Sequence, residues 1–581
     1  MIFFHDARLC AGPPRRISRK VLARVAWLCL ALLLGLTLSG LAAPERTAPA
    51  SPSPEAAAGQ PGDTDQENTP PEGEPFSFAE VVRAARGLSQ RPYENPDSQV
   101  PGFLLELSAD QWNKIRFDPG QRLWADSGPF SVEFFHPGFL YNRLVRLHIV
   151  DQGRSEPVPF SPAMFDYADS ALAAKAAAAD LNFAGFRLYF PLHGQDIPDE
   201  VASFLGASYY RAVGRHATYG LSARGLALDT ALPDGEEFPY FREFWLEKPA
   251  PDASAIRLYA LMDSPSLTGA FTFTLTPGTS SVMDVESVLF RRRGASWPLK
   301  IGLAPISSMF LHSEMSGGAR NDYRPEVHNS DGLLYRSADE IWHWRPLTNP
   351  GRLAVSSVPL ENPRGFGLMQ RDTDFDHYQD IGARFERRGS LWVEPTRDWG
   401  PGRLELIEIP SREDFHDNVT VFWVPDASWL AREGAEEGDA LRDFVSFSYR
   451  LYWMTPGVTP HGLGKAVATW IFRSPKHSDR VVFILDFEGE ALKSLPPDTG
   501  LSSLVESPAG FPALDKQLIK NPVTGGWRLQ FSLQLPQPEG VVQSLLAAHD
   551  GQNRLRVRAL LKRGENFPDA LTETWVFDVP Y

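Results

Sequence analysis

Three short acidic segments carry the residue types that could do chemistry. YRPEVHNSDGLLY spans 323–335, RDTDFDHYQD spans 371–380 and PSREDFHDNVTVFW spans 410–423, with Trp342, Trp344, Trp392, Trp399 and Trp423 spread among them. An aromatic face covers the apolar C–H face of a sugar, and carboxylates and amides bond its hydroxyls. Cutting a glycosidic bond also needs two carboxyl groups, one to protonate the leaving oxygen and one to activate water. The same residue types make turns and helix caps, and tryptophans at alternate strand positions fill cores. Composition leaves both readings open.

Other chemistries lack their residues. There is no Walker loop, zincin helix, G-x-S-x-G elbow or G-x-G-x-x-G after a strand. His328 and His343 stand apart with no helical partner, and His343 sits between Trp342 and Trp344, the setting of a packed core residue. No metal and no cofactor is expected. Both cysteines, Cys10 and Cys29, lie near the N-terminus, so beyond them there is no disulfide framework, thiolate metal site or cysteine nucleophile.

The elements that must position these segments read as strands. Phe271, Phe273 and Leu275 alternate with threonine before Pro277-Gly278. Val445, Phe447, Tyr449, Leu451 and Trp453 alternate, as do Leu529, Phe531, Leu533 and Leu535, then Leu555, Val557, Ala559 and Leu561, then Trp575, Phe577 and Val579. Period-two patterns broken by turn residues predict antiparallel sandwiches, an all-β fold class. Residues 441–581 read as an immunoglobulin-like sandwich without its cysteine pair, 76–425 as a larger β unit, and 426–440 as the connector. Helices are few: Phe78 to Leu88, Asp110 to Ile115, and the alanine-rich Ala163 to Leu181.

The 581 residues begin with a basic stretch from Arg8 to Arg24, an uncharged run from Val25 to Ala43 and small residues at Gly40, Ala42 and Ala43. That order predicts a signal peptide over 1–42, the alternative being a retained anchor. Residues 43–75, rich in Pro, Ala, Gly and Glu, bury too little apolar surface to order themselves and read as a tether. The net charge of −15 becomes −20 once the leader's six cations and Asp6 are removed. Such acidity disfavours nucleic acid and anionic lipid, whereas a neutral polysaccharide carries no such penalty. The mature chain is expected in the periplasm, without membrane contact once the leader is gone.

Longer strings carry a resemblance. FSFAEVV at 76–82, FFHPGFLY at 134–141, YGLSARGLALDTALPDGEEFP at 219–239, NDYRPEVH at 321–328, WRPL at 344–347, ENPRGFGLMQRD at 361–372, LELIEIP at 404–410 and NPVTGGWRL at 521–529 resemble the bacterial periplasmic glucan biosynthesis proteins G and D. The leader, without a clear twin-arginine pattern, is closer to the G branch. The resemblance implies a galactose-mutarotase-like β-sandwich followed by an immunoglobulin-like domain. It also implies a role in osmoregulated periplasmic glucans, whose backbone is β-1,2-linked, and an inverting β-1,2-glucanase or transglycosylase-like activity.

By resemblance, Asp417 beside Asn418 falls on the family's general acid, while the base position, after the histidine of R-P-E-x-H, falls on Asn329. An amide cannot accept the proton of the attacking water. Asp331 is then the possible substitute base, or simply an Asp-Gly turn, and Asp414 a possible relay. Phe385 stands where a tyrosine is expected. Substrate contacts are expected from Tyr323, Arg324, Glu326, His328, Trp344, Arg371 and Trp423. Two functions follow: a glycoside hydrolase acting on β-1,2-glucan through Asp417, or, because of Asn329, a non-catalytic glucan-binding assembly factor. The pathway adds an inner-membrane glucan synthase as a possible partner.

Overall fold

The computed structural model describes residues 73–194, 197–316, 321–427, 429, 444–508, 511–534, 554–564 and 570–580. The signal-peptide reading over 1–42 lies outside the described residues, as does nearly all of the 426–440 connector. The tether expected over 43–75 ends in order, because Glu74–Pro75 pairs with Arg154–Pro157.

The fold is all-β. A fifteen-stranded sheet and a ten-stranded sheet stack face to face, and a separate four-stranded sheet covers one end of the larger one. The alternation in Leu267–Thr276 puts Phe271, Phe273 and Leu275 on the inner face of the large sheet. There they meet Phe186, Phe204 and Tyr210 from the ten-stranded sheet, with Phe204 and Phe273 rings 5.3 Å apart and Tyr210 and Phe273 rings 5.2 Å apart. The Tyr210 and Tyr449 hydroxyls, 3.0 Å apart, satisfy each other across the layers. The helix Phe78–Ser89 lies on the outer face, where Val81 and Ala85 pack on Trp245, Tyr259 and Phe290.

Phe444–Trp453 is an addition to the larger unit rather than the first strand of the second. It pairs with Ser281–Arg291 on one side and Leu391–Pro395 on the other, and Val445, Phe447, Tyr449, Leu451 and Trp453 all enter the larger core. Strict alternation fits a half-buried strand in either unit, so the pattern could not choose the sheet.

The second core forms between the sheet of Lys465–Arg473, Arg480–Glu488, Trp527–Gln534 and Ala513–Lys520 and the far end of the large sheet. That end is continuous with the rest, because His343 and Trp344 pair in parallel with Thr574 and Trp575. The alanine-rich helix is shorter than its propensity suggests, spanning Ser170–Ala177 with Asp169 as its N-cap. Phe165, eight per cent or less exposed and packed edge-on to Phe117, is drawn into the core as part of a short strand, which ends the helix on that side.

Candidate active site

The site lies on the outer face of the ten-stranded sheet. Tyr209–Ala212, Ser222–Arg224, Ile301–Ser308 and Val419–Pro425 are successive neighbours there. Tyr210, Ala223, Ile306 and Val421 point into the core. Their alternates, Tyr209, Arg211, Ser222, Arg224, Ser307 and Thr420, therefore share the opposite face. Arg211 Nε donates to Ser222 Oγ at 2.7 Å and Arg224 Nε donates to Ser307 Oγ at 3.3 Å. The Arg224 guanidinium lies 4.8 Å from the Tyr209 ring centroid and is paired with Glu236 at 2.8 Å.

Asp417 stands at the lip of this face, two residues ahead of Val419–Pro425. Its neighbour Asn418 is the anchor. The buried Asn418 amide accepts from Phe310 N at 2.8 Å and donates to Phe310 O and Ile409 O, both at 2.9 Å. With Asn418 clamped, the Asp417 side chain is presented: its Oδ2 is shielded from water and has no hydrogen-bond partner among the described residues. Tyr209, Arg224 and Arg388 all lie within electrostatic reach of that carboxylate. Burial, reinforced by Arg211, lowers the Arg388 guanidinium to about 10.

Asn329 belongs to the same place. Its backbone N–H bonds Met309 O at 2.8 Å, next to the Phe310 that Asn418 holds, and its Nδ2 donates to Gly220 O at 3.2 Å. Gly220 packs on Arg388, whose side chain would meet an added Cβ at 3.1 Å. Asn329, Arg388 and Asp417 thus converge, and Asn329 Oδ1 is a second buried oxygen without a partner among the described residues. Asp331 faces elsewhere. Its Oδ2 accepts from Arg371 N at 3.0 Å and Asp372 N at 3.4 Å, tying down the loop after Gly365–Met369. Burial, opposed by His328 and Arg371, pushes its carboxyl up to about 6. Its other oxygen, Oδ1, is buried without a hydrogen-bond partner among the described residues.

Arg324 gathers three loops by pairing with Asp322, Asp380 and Asp414 at 2.7, 2.9 and 2.7 Å. Asp414 is thereby held on the same side chain as two other acids, and Tyr323 beside it is 76% exposed and free to stack. The other expected contacts are scaffold. His328 is fully buried between Glu326 Oε2 and Gln370 Oε1, each at 2.8 Å. Despite burial, Glu326 raises its imidazole to about 9. Phe385 is buried against Tyr378 and offers no hydroxyl.

Three expected sugar contacts are corrected. Trp423 is 0% exposed in the larger core, on the face opposite the site. Trp344 fills the second core, with the Arg371 guanidinium 3.4 Å from its ring centroid. Arg371 is buried in a two-pronged pair with Glu573 at 2.5 and 2.7 Å. None of the three has a free surface for a ligand.

The sequence reading missed Tyr209, Arg211, Arg224 and Arg388. The signal was present in YYRA and SAR, where polar residues occupy the alternate positions of otherwise apolar strands. One triad among the described residues, Glu326, Asp372 and His377, brings metal-capable atoms within 4.8 Å of one another. All three of its groups are already engaged, Glu326 with His328 and Asp372 with His377 at 2.5 Å.

The profile described as "Periplasmic glucan biosynthesis protein, MdoG" matches residues 76–579. The chain belongs to that family. A glucans biosynthesis protein G of Ralstonia nicotianae is 39% identical over 514 residues, covering 87% of this chain and 96% of the relative. One from Rhodopseudomonas palustris is 43% identical over 460 residues, covering 78% and 87%. One from Pseudomonas aeruginosa is 36% identical over 516 residues, covering 87% and 93%. A role in periplasmic glucan biosynthesis follows from this membership. No helix among the described residues is long and apolar enough to cross a membrane.

Proposed function

We propose that this periplasmic glucan biosynthesis protein binds the β-1,2-linked glucan backbone on the outer face of the ten-stranded sheet and cleaves or rearranges it, with Asp417 as proton donor. The observation that carries the reading is the Asp417 Oδ2, shielded and unpartnered at the edge of a face lined by Tyr209, Arg211 and Arg224. A buried oxygen left without a partner costs about 1–3 kcal/mol, a cost that a bound glycosidic oxygen would offset by sharing the carboxyl proton. Incubating the protein with linear β-1,2-glucan is expected to yield shorter or cyclised chains, and Asp417→Asn is expected to abolish the change. Full activity in Asp417→Asn overturns the assignment.

One observation favours a second reading, a glucan-binding assembly factor without turnover. Asn329 cannot act as a base, and one oxygen of Asp331 is held by the 371–372 backbone. That reading predicts binding without products and a gain of activity in Asn329→Asp. Contact with an inner-membrane glucan synthase is a further part of the proposal, tested by co-purification from membranes.

A further inference from the structure

A cavity of about 240 Å3 lies on the far end of the large sheet and shares no residue with the Asp417 face. It crosses four neighbouring strands, Trp342–Pro346, Thr574–Pro580, Arg554–Arg563 and Leu501–Glu506. Trp344, Trp575, Leu561 and Val505 turn to the second core. Their alternates His343, Thr574, Leu560 and Leu504 therefore share the opposite face, where they line the cavity. His343 pairs with Thr574 in register, Leu504 with Leu560 and Glu506 with Arg558. Leu360, the last residue of the ten-stranded sheet's edge strand Ala354–Leu360, adds a further wall. The turn from Ser337 to Ile341 adds another, closed by Ser337 N on Ile341 O at 3.0 Å.

One polar atom of the lining is left without a partner. The His343 ring stacks on Tyr335, with centroids 4.6 Å apart, and its Nε2 lies 3.3 Å from Ser337 Oγ. The single Ser337 proton is directed to Asp339 Oδ1 at 2.5 Å, with Ile341 O at 3.1 Å. Towards the imidazole that hydroxyl can only accept. The ring proton therefore sits on Nε2, and Nδ1 keeps a lone pair. Nδ1 is buried and has no hydrogen-bond partner among the described residues. Burial, reinforced by Arg558, lowers the imidazole to about 4, so the lone pair persists at ordinary pH. Stacked on one side and bonded at Nε2, the ring is not free to turn Nδ1 to water. Buried acceptors are ordinarily paired, so a bound donor would complete this one.

The remaining lining defines what carries that donor. Charges of both signs stand there, Asp339 and Glu506 against Arg558, and the last two are 3.8 Å apart. Neither a cation nor an anion gains from such a balance, which favours a neutral ligand. Hydroxyls both donate and accept, so they suit His343, Thr574, the two acids and the guanidinium together. Ile341, Leu360, Leu504 and Leu560 supply apolar cover for C–H groups. The volume has room for roughly eight waters at their liquid density. It suits a single hexose rather than a drug-sized molecule.

We propose that this cavity is a second binding site, separate from the Asp417 face, that takes one neutral sugar ring and holds it by a hydroxyl donated to His343 Nδ1. The site stands whether or not Asp417 is a proton donor.

The test is titration of the full chain with D-glucose, followed by NMR of isotope-labelled histidine. The His343 signal is assigned by its loss in His343→Phe, which keeps a flat ring against Tyr335. The free protein should show Nε2 protonated and Nδ1 bare. Glucose should move the Nδ1 signal along a saturable curve. In Leu504→Trp, which fills the cavity from a half-buried wall, that affinity should fall at least tenfold, with melting temperature as the fold check. His343→Phe should weaken calorimetric binding at this site to the same extent. A His343 signal that glucose leaves unmoved overturns the proposal, as does a saturable shift unchanged in folded Leu504→Trp. If His343→Phe does not fold, the Leu504→Trp titration decides.

Discussion

At the residue scale, the D-N pair divides its labour. Asn418 spends its amide on Phe310 and Ile409, so Asp417 can remain unpaired. Asp417→Asn should therefore leave the melting temperature nearly unchanged while reducing turnover of linear β-1,2-glucan by roughly 10²–10⁴-fold, the usual contribution of a positioned proton donor. Reducing-end assays beside a thermal melt check both halves. Asn418→Ala should do the reverse to stability. It strips two backbone groups of Phe310 of their partner, at about 1–3 kcal/mol each when buried, and a fall in melting temperature is the expected readout. Asn329→Asp adds a carboxylate beside Gly220 O and within the Arg388 neighbourhood, and product yield should rise if water activation is the missing step.

At the element scale, the strand Gly332–Arg336 joins the two cores and depends on its first residue. A Cβ at Gly332 would stand 2.1 Å from the Trp344 ring, and that ring cannot retreat because the Arg371 guanidinium lies 3.4 Å from its centroid. Gly332→Ala should destabilise the protein by about 1–3 kcal/mol through overpacking, measured by urea unfolding. An unchanged midpoint would show that Trp344 has room to move. The alternation of YYRA and SAR has the opposite meaning from that of Phe271 to Leu275. In the latter the alternates are threonines, but in the former they are Tyr, Arg and Ser that meet one another across strands. Period two reveals which residues share a face, yet the presence of loops above that face is decided by segments far away in the chain.

At the scale of the whole molecule, the two units are tied by a buried pair. Arg371 follows the larger unit's strand Gly365–Met369, and Glu573 precedes the last strand, Thr574–Pro580. Burial alone would raise the Glu573 carboxyl, but Arg371 and His461 hold it at about 2. Removing one partner, as in Arg371→Met, leaves a buried charge uncompensated and should cost about 3–5 kcal/mol, with calorimetry showing the loss.

A pH dependence belongs to the same contact. Glu314 accepts from Thr469 N of the opposite unit at 2.8 Å, and burial together with Glu326 raises its carboxyl from 4.5 to about 7. A carboxyl raised on folding favours the folded state when protonated, so stability falls as pH rises from about 4.5 to 7. The other groups in its field are His328 and Asp331. His328, raised from 6.5 to about 9, contributes stability that is complete below 6.5 and lost through 9. Asp331, raised from 3.8 to about 6, runs the same way. The melting temperature should therefore be higher near pH 5.5 than near pH 8.5, and Glu314→Gln should flatten the acidic part of the profile. A profile that rises across this window would contradict the assignment.

The sequence alone determined the all-β class, the strands, the family and the three acidic loops, because each rests on local periodicity or on strings of contiguous residues. It placed Asp417 and Asn329 in one neighbourhood by resemblance. Only the tertiary structure decided that Trp423 and Trp344 face cores, that Asp331 is bound to the 371–372 backbone, and that Phe444–Trp453 joins the larger sheet. The physical reason is that alternation assigns residues to faces but not faces to water. Whether a face is core, solvent or cleft depends on which distant segment covers it.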